Sequence, residues 1–310
     1  MQTLRAAPWQ LWFLVLGAIW GCSFLFIKLG LQSFTPVQVA FGRVTIGALV
    51  LLAILRATGT PLPRGRETWK HLAVVALTFC SIPFTLFAYG ETQVSSILAG
   101  LINAGTPLMT LLVVFVAFPR ERPGREGIVG LGVGFVGVLV LVGAWNGIGG
   151  GELLGVLACV GAILCYGIAW PYTRHHLAGV PEGPIAIAAA QVSLGSLFLL
   201  PVVVVVTLLD GAVPRGPVAL DTIVGMIALG ALGSGIAYVL SNHLVIEAGS
   251  TIASSVTYIT PLFAIAAGSI FLSEPLAWYQ PVGGAIVLLG VAISQGRVRL
   301  PRRSEAPAVP

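Results

Sequence analysis

Residues 118–138 read FPRERPGREGIVGLGVGFVGV, and residues 271–291 read FLSEPLAWYQPVGGAIVLLGV. Laid over each other, Glu121 falls on Glu274, Gly130 on Gly283, and Gly137-Val138 on Gly290-Val291. Both copies therefore carry E-x8-G-x6-G-V. Working outward, Pro107 and Pro261 take equivalent places upstream. Further back, Lys28 and Pro36 (K-x7-P) resemble Arg174 and Pro184 (R-x9-P), and the same register sets Arg43 opposite Gln191. A repeat of this reach divides the chain into two halves, 1–145 and 152–296, followed by a basic tail at 297–310.

Composition states what the halves are made of. The chain has 310 residues, 57% hydrophobic and 9% charged. A soluble domain carries about 25% charged residues, so this surface cannot be solvated by water. Soluble enzymes, disordered scaffolds and nucleic-acid binders are excluded, and the net charge of +5 has to be read through membrane topology. Cys22, Cys80, Cys159 and Cys165 all lie in apolar blocks without C-x-x-C spacing. They read as small buried hydrophobes rather than as a metal site or a disulfide framework. No cofactor or metal is expected.

A spanning helix needs about 20 apolar residues. Ten segments qualify, at approximately 9–31, 35–56, 69–90, 93–117, 126–145, 152–173, 184–209, 220–246, 251–272 and 277–296. Short joints such as TGTPLPRGRET (58–68) and DGAVPRGP (210–217) separate them. The first segment is too long for a signal-peptide core and reads as a retained helix. With the N-terminus inside, 13 of the 16 Lys and Arg fall on inner segments, and Arg215 alone falls outside. Lys28 and Arg43 are embedded. That asymmetry predicts cytoplasmic termini in a multi-pass plasma-membrane (inner-membrane) protein. Five helices per half is odd, so the second half enters the bilayer inverted. Such a design places a solute site near the midplane, where the halves meet. The fold class expected is an all-α membrane protein of ten transmembrane helices in two inverted five-helix repeats.

WGCSFLFIK (20–28), FTPVQVAFGR (34–43) and the twice-repeated P…E…G…GV pattern resemble the drug/metabolite transporter superfamily, EamA type, over nearly the whole chain. The resemblance implies a small-metabolite carrier, often an exporter, built of two EamA-like halves. It favours amino acids or related compounds as solutes. Glu121 and Glu274 match the family's loop glutamate, for which capping or pairing where helices 5 and 10 begin is the expected role. The second half departs from the pattern, with CYGIAWPY (165–172) where the first has WGCSF.

Polar side chains inside lipid are costly unless they face protein or water. Thr78, Ser81, Thr85 and Tyr89 recur at helical spacing, as do Ser96, Asn103, Thr106 and Thr110. So do Tyr166, Trp170 and Thr173; Ser234, Tyr238 and Asn242; and Ser254, Thr257, Tyr258 and Thr260. These stripes read as the lining of one central cavity. The competing reading is that each hydroxyl bonds a carbonyl one turn back. The expected solute-binding set is Trp20, Arg43, Ser81, Tyr89, Asn103, Thr106, Tyr166, Trp170, Ser234, Tyr238, Asn242, Thr257 and Tyr258. Pro107 and Pro261 read as matched helix interruptions beside that site or as fixed kinks.

Lys28, near the outer end of helix 1, either snorkels to headgroups or faces the vestibule. Arg43 is about 12 Å into helix 2. Turned inward, it would favour carboxylate-bearing solutes. Glu91 is the nearest outer acid, and no Asp or Glu occupies a helix centre, which argues against proton coupling. His243 reads as a relay or as an interfacial residue. Gly132-x-Gly134-x-x-Gly137 has the dinucleotide spacing but no preceding strand. Gly130-x-x-x-Gly134 is instead a close-packing motif, which predicts that helices 5 and 10 pack tightly away from the cavity. The expected function is a secondary carrier by alternating access, with a small-molecule solute and the bilayer as partners, no nucleic acid, and a homodimer left open. A channel or a lipid flippase is the alternative. An intramembrane enzyme is a weaker one, since neither G-x-S-x-G nor H-E-x-x-H occurs.

Overall fold

The computed structural model describes residues 9–117, 125–141, 143–146, 150–177, 179–210, 217–248, 255–294 and 296–298. Regular structure among them is helical, with no strand. Helix α1 (Trp9–Gly30) leads through a tight turn into α2 (Pro36–Thr58). Thr35 and Gln38 close a capping box, Pro36 sits where its missing N–H costs nothing, and Gly59 ends the helix at φ 66°. Next come α3 (Arg66–Ala76) and α4 (Ile82–Gly90), joined into one span by a π-helical turn, Leu77–Ser81. A broken pair follows, α5 (Ser96–Asn103) and α6 (Thr106–Ala117), then α7 (Arg125–Leu141).

The second half runs α8 (Gly150–Leu177), α9 (Pro184–Asp210), α10 (Leu220–Gly230), a second π-helical turn (Ala231–Ile236), α11 (Ala237–Ala248), α12 (Thr260–Phe271) and α13 (Tyr279–Ser294). Among the described residues, six helices are long and apolar enough to cross a bilayer, counting α3–α4 and α10–α11 as one each. The α5–α6 pair, bent by 41°, is a seventh if counted as one span. Three further apolar helices, Glu126–Leu141, Val256–Phe271 and Tyr279–Ser294, are shorter. At 1.5 Å per residue a helix of that length rises about 25 Å, a little less than a typical hydrocarbon core.

The outward faces are apolar: Leu208, Leu209, Ile270, Phe271, Phe135 and Leu49 are all exposed. Only lipid solvates such a surface without penalty. Small residues set the packing within. An added Cβ at Gly130 would lie 2.5 Å from the Gly290 carbonyl oxygen, and one at Gly137 would lie 2.6 Å from the Val287 nitrogen. Helices α7 and α13 therefore touch backbone to backbone, as the glycine spacing anticipates. They pack outside the cavity described next, to which neither contributes a residue.

Candidate functional site

Both prolines singled out by the repeat open a new helix rather than bend an old one. Pro107 follows Thr106 at the start of α6, and Pro261 follows Thr260 at the start of α12. Just before each, backbone pairing tightens to i→i−3 bonds, at Ala104 and Gly105 and at Ile259. The Thr106 hydroxyl turns back onto the Asn103 carbonyl (2.8 Å), and that of Thr260 onto the Val256 carbonyl (3.1 Å). Each break turns a polar residue inward. Asn103 and Thr106 come from the first, and Thr257, three residues ahead of Thr260 as Asn103 is of Thr106, from the second.

These residues border a cavity that opens partly to the outside. Helix α1 supplies Trp20, Ser23, Phe24 and Ile27, and α2 supplies Arg43. Phe79, Phe84 and Phe87 come from the π turn and α4, Tyr166 and Trp170 from α8, and Tyr238 from α11. Phe79 holds the aromatic wall together, with edge-on contacts to Tyr166, Trp170 and Tyr238 at ring centroid separations of 5.3, 5.0 and 5.6 Å. Tyr238 donates its hydroxyl to the Phe79 carbonyl (3.0 Å), one of the groups that the π turn leaves available.

Arg43 is the charged feature of the wall, at 6% exposure. Its Nε donates to Ser234 Oγ (2.9 Å) and one terminal nitrogen to the Gly233 carbonyl (3.5 Å). Its guanidinium lies 3.7 Å from the Phe84 ring centre. This uses two of the five guanidinium donors. These partners, Ser234, Gly233 and the Phe84 ring, include no carboxylate.

Of the thirteen residues read as solute-binding, the structure brings eight to the cavity: Trp20, Arg43, Asn103, Thr106, Tyr166, Trp170, Tyr238 and Thr257. The other five sit elsewhere. Ser234 stands behind Arg43 as its hydrogen-bond acceptor. Ser81 bonds the carbonyls of Ala76 and Gly195. Tyr89 is 40% exposed on the outer face of α4, because Glu91 and Phe87 take its inward positions. Asn242 donates to the Pro184 carbonyl (3.2 Å), tying α11 to the start of α9. Tyr258 packs against Leu108, Val287 and Val291.

Thr78, Thr85 and Thr110 follow the competing reading, bonding the carbonyls of Val74, Ser81 and Thr106 one turn back. Lys28 is engaged by main-chain groups of the α4–α5 turn. It donates to the carbonyls of Glu91 (2.6 Å) and Val94 (2.9 Å). Glu274 does not cap the helix that follows it. Its carboxylate accepts from the Ser96 nitrogen and hydroxyl and the Ile97 nitrogen, so it caps α5 in the other half. Glu121 and Ser254 lie outside the described residues. Sequence reading missed Ser23, Phe24, Ile27, Phe79, Phe84 and Phe87, which look like ordinary lipid-facing residues. Only their recurrence on the helices already carrying Trp20 and Arg43 could have pointed to them. No described His, Cys, Asp or Glu cluster could hold a metal ion.

An apolar exterior around a polar, aromatic cavity that many helices share defines a multi-pass membrane transporter. Comparison with known proteins gives the family. The EamA-like transporter family model matches residues 7–143 and again 153–295, and the chain belongs to that family. An "Uncharacterized transporter" of Archaeoglobus fulgidus is 27% identical, covering 90% of this chain and 94% of its own length. The "Uncharacterized inner membrane transporter YedA" of Escherichia coli K12 is 25% identical, covering 92% and 90%. A solved crystal structure shares the fold at a TM-score of 0.63 with 18% identity, covering 93% of this chain and 96% of its own.

Proposed function

We propose that this transporter is a secondary carrier of small organic acids with an apolar or aromatic body, amino acids and their derivatives above all, and that it works outward by alternating access. In this reading ten crossings form two inverted halves, 1–145 and 152–296, with both termini in the cytoplasm. The observation that carries the solute class is Arg43. A guanidinium buried in a membrane protein without a protein carboxylate is costly, and Arg43 lines a cavity walled by Trp20, Phe79, Tyr166 and Trp170. A solute carboxylate offers the two-pronged partner that this group lacks, while the rings take the apolar body. The breaks at Asn103–Thr106 and at Thr257–Thr260 supply polar groups at depth, as interrupted helices do in carriers.

Metabolite profiling of medium from overexpressing cells, set against an Arg43→Gln strain, identifies the solute. Flux in proteoliposomes then tests the class. Saturable exchange of a carboxylate-bearing solute, with its amide analogue excluded, is expected. A steady ionic conductance would replace the carrier with a channel, and movement of labelled lipid would replace it with a flippase. A reporter fused after Pro310 is expected to be active in the cytoplasm; its export would overturn the orientation.

A further inference from the structure

Glu91 caps the end of α4 and is fully buried, at 0% exposure. Neither carboxylate oxygen has a hydrogen-bond partner. Removing an ionised carboxylate from water without donors costs several kcal/mol, so a carboxyl placed in this way is comfortable only with a proton on it. The charge that could replace the proton is next to it. Lys28 reaches the same joint from α1, yet its ammonium is given to two main-chain carbonyls, those of Glu91 itself and of Val94. Those carbonyls end α4 and the turn behind it, where positive charge is favoured. The remaining ionisable groups that act on Glu91 are Glu274 from the segment before α13, Arg43 from α2 and Cys159 from α8; α5 contributes none. Glu274 is committed to its three donors at the head of α5, and Arg43 to Ser234 and Gly233. Of these groups Lys28 alone is held solely by main-chain carbonyls, one of them that of Glu91 itself.

The joint adjoins the cavity. Phe87, whose carbonyl accepts from the Glu91 nitrogen (2.9 Å), lines it, and so does Ile27, the residue before Lys28. Helix α1 carries Trp20, Ser23, Phe24 and Ile27 along the cavity wall before ending near Lys28.

We propose that Glu91 is a proton-binding site beside the solute cavity, and that Lys28 passes from the two carbonyls to the Glu91 carboxylate when the proton leaves. The carboxyl O–H bond breaks, the proton passes to water, and the ammonium replaces it as the carboxylate's partner. Total charge at the joint falls from one positive to none. The change of partner pulls on the end of α1 and so on the wall that carries Trp20 and Phe24, which links proton binding to the shape of the cavity. This rests on the carrier reading and deepens it: the solute would exchange for a proton.

The site is tested without any solute. Infrared difference spectra of the full chain in lipid nanodiscs, recorded through a pH titration, should show the carbonyl stretch of a protonated carboxyl disappearing as pH rises. Glu91→Gln should remove that band. Lys28→Met, which deletes the alternative partner, should move its midpoint up by about 1–3 pH units. A band unaffected by Glu91→Gln, or a carboxyl that does not titrate in the parent, overturns the proton site. A midpoint unmoved in Lys28→Met overturns the exchange of partners. A labelled hydrolysate of the protein amino acids in proteoliposomes probes the link to flux. An imposed pH gradient should stimulate uptake severalfold in the parent and not in Glu91→Gln; equal stimulation in both overturns the coupling. Absence of amino-acid flux with the titration intact would count against the proposed solute class and leave the proton site standing.

Discussion

Arg43 on α2 and Gln191 on α9 stand in register in the two halves, and each presses on a π-helical turn belonging to the other half. Arg43 meets Gly233 and Ser234 in the turn between α10 and α11. Gln191 is buried at the turn between α3 and α4 and donates to Cys80 Sγ (3.5 Å). Each crossing has a glycine four residues on. Gly47 lies against Ser234 and the Gly230 carbonyl, and Gly195 against Cys80 and Ser81. The backbone arrangement is thus repeated while the chemistry differs. One crossing holds a cation that lines the cavity, and the other a neutral amide that does not. A π turn frees carbonyls that a regular helix keeps for itself. At one crossing those groups brace a buried charge; at the other they join helices.

The largest effect is expected from making the crossings alike. Arg43→Gln should weaken the apparent affinity for a carboxylate solute by about 1–3 kcal/mol, roughly five- to 150-fold, and barely alter that for its amide analogue. Arg43→Lys should recover part, because lysine lacks the planar fork. Proteoliposome competition assays read the ratio, and an unchanged ratio removes Arg43 from the site.

The glycines come next. A Cβ at Gly47 would lie 2.8 Å from the Ser234 Cβ and 3.1 Å from the Gly230 carbonyl oxygen, whereas one at Gly195 would lie 3.1 Å from the Cys80 Cβ. Gly47→Ala should therefore cost about 1–3 kcal/mol by overpacking, and Gly195→Ala less. Thermal unfolding in detergent should rank the two in that order.

The serines sharpen the contrast further. Ser234→Ala leaves the Arg43 Nε donor buried without its acceptor, at about 1–3 kcal/mol, and should reduce carboxylate transport as well as stability. Ser81→Ala removes bonds to carbonyls only and should cost about 1 kcal/mol of stability with carboxylate selectivity retained. Equal effects on selectivity would erase the functional difference between the crossings. The smallest change is expected from Tyr238→Phe, which loses the bond to the Phe79 carbonyl at about 0.5–1.5 kcal/mol. Apparent unfolding temperature is the measure.

Much of this was legible in one dimension. Composition alone requires a lipid solvent, because 9% charged residues cannot cover a globule in water. The duplicated glycines predict the α7–α13 contact because only a missing Cβ lets two backbones touch. The proline positions mark where backbone pairing must stop, and the breaks at Thr106 and Thr260 follow from them. Arg43 stands out since a cation that deep needs a reason. What three dimensions alone decided is which way each side chain faces. Asn103 and Asn242 are the same amide in apolar helices, yet one borders the cavity and the other ties off a helix start. Phe79 and Phe135 are both phenylalanines in apolar helices, one a wall of the cavity and the other lipid-exposed. The π turns shift the register by a fraction of a turn, which carries Ser81 and Ser234 off the faces that a regular helix would assign them. Glu91 looks like a loop acid at a helix end, and only the convergence of α1, α5 and α8 upon it removes its water. Periodicity along a chain specifies faces of a helix; what each face meets is settled by distant segments, and that is information no local pattern contains.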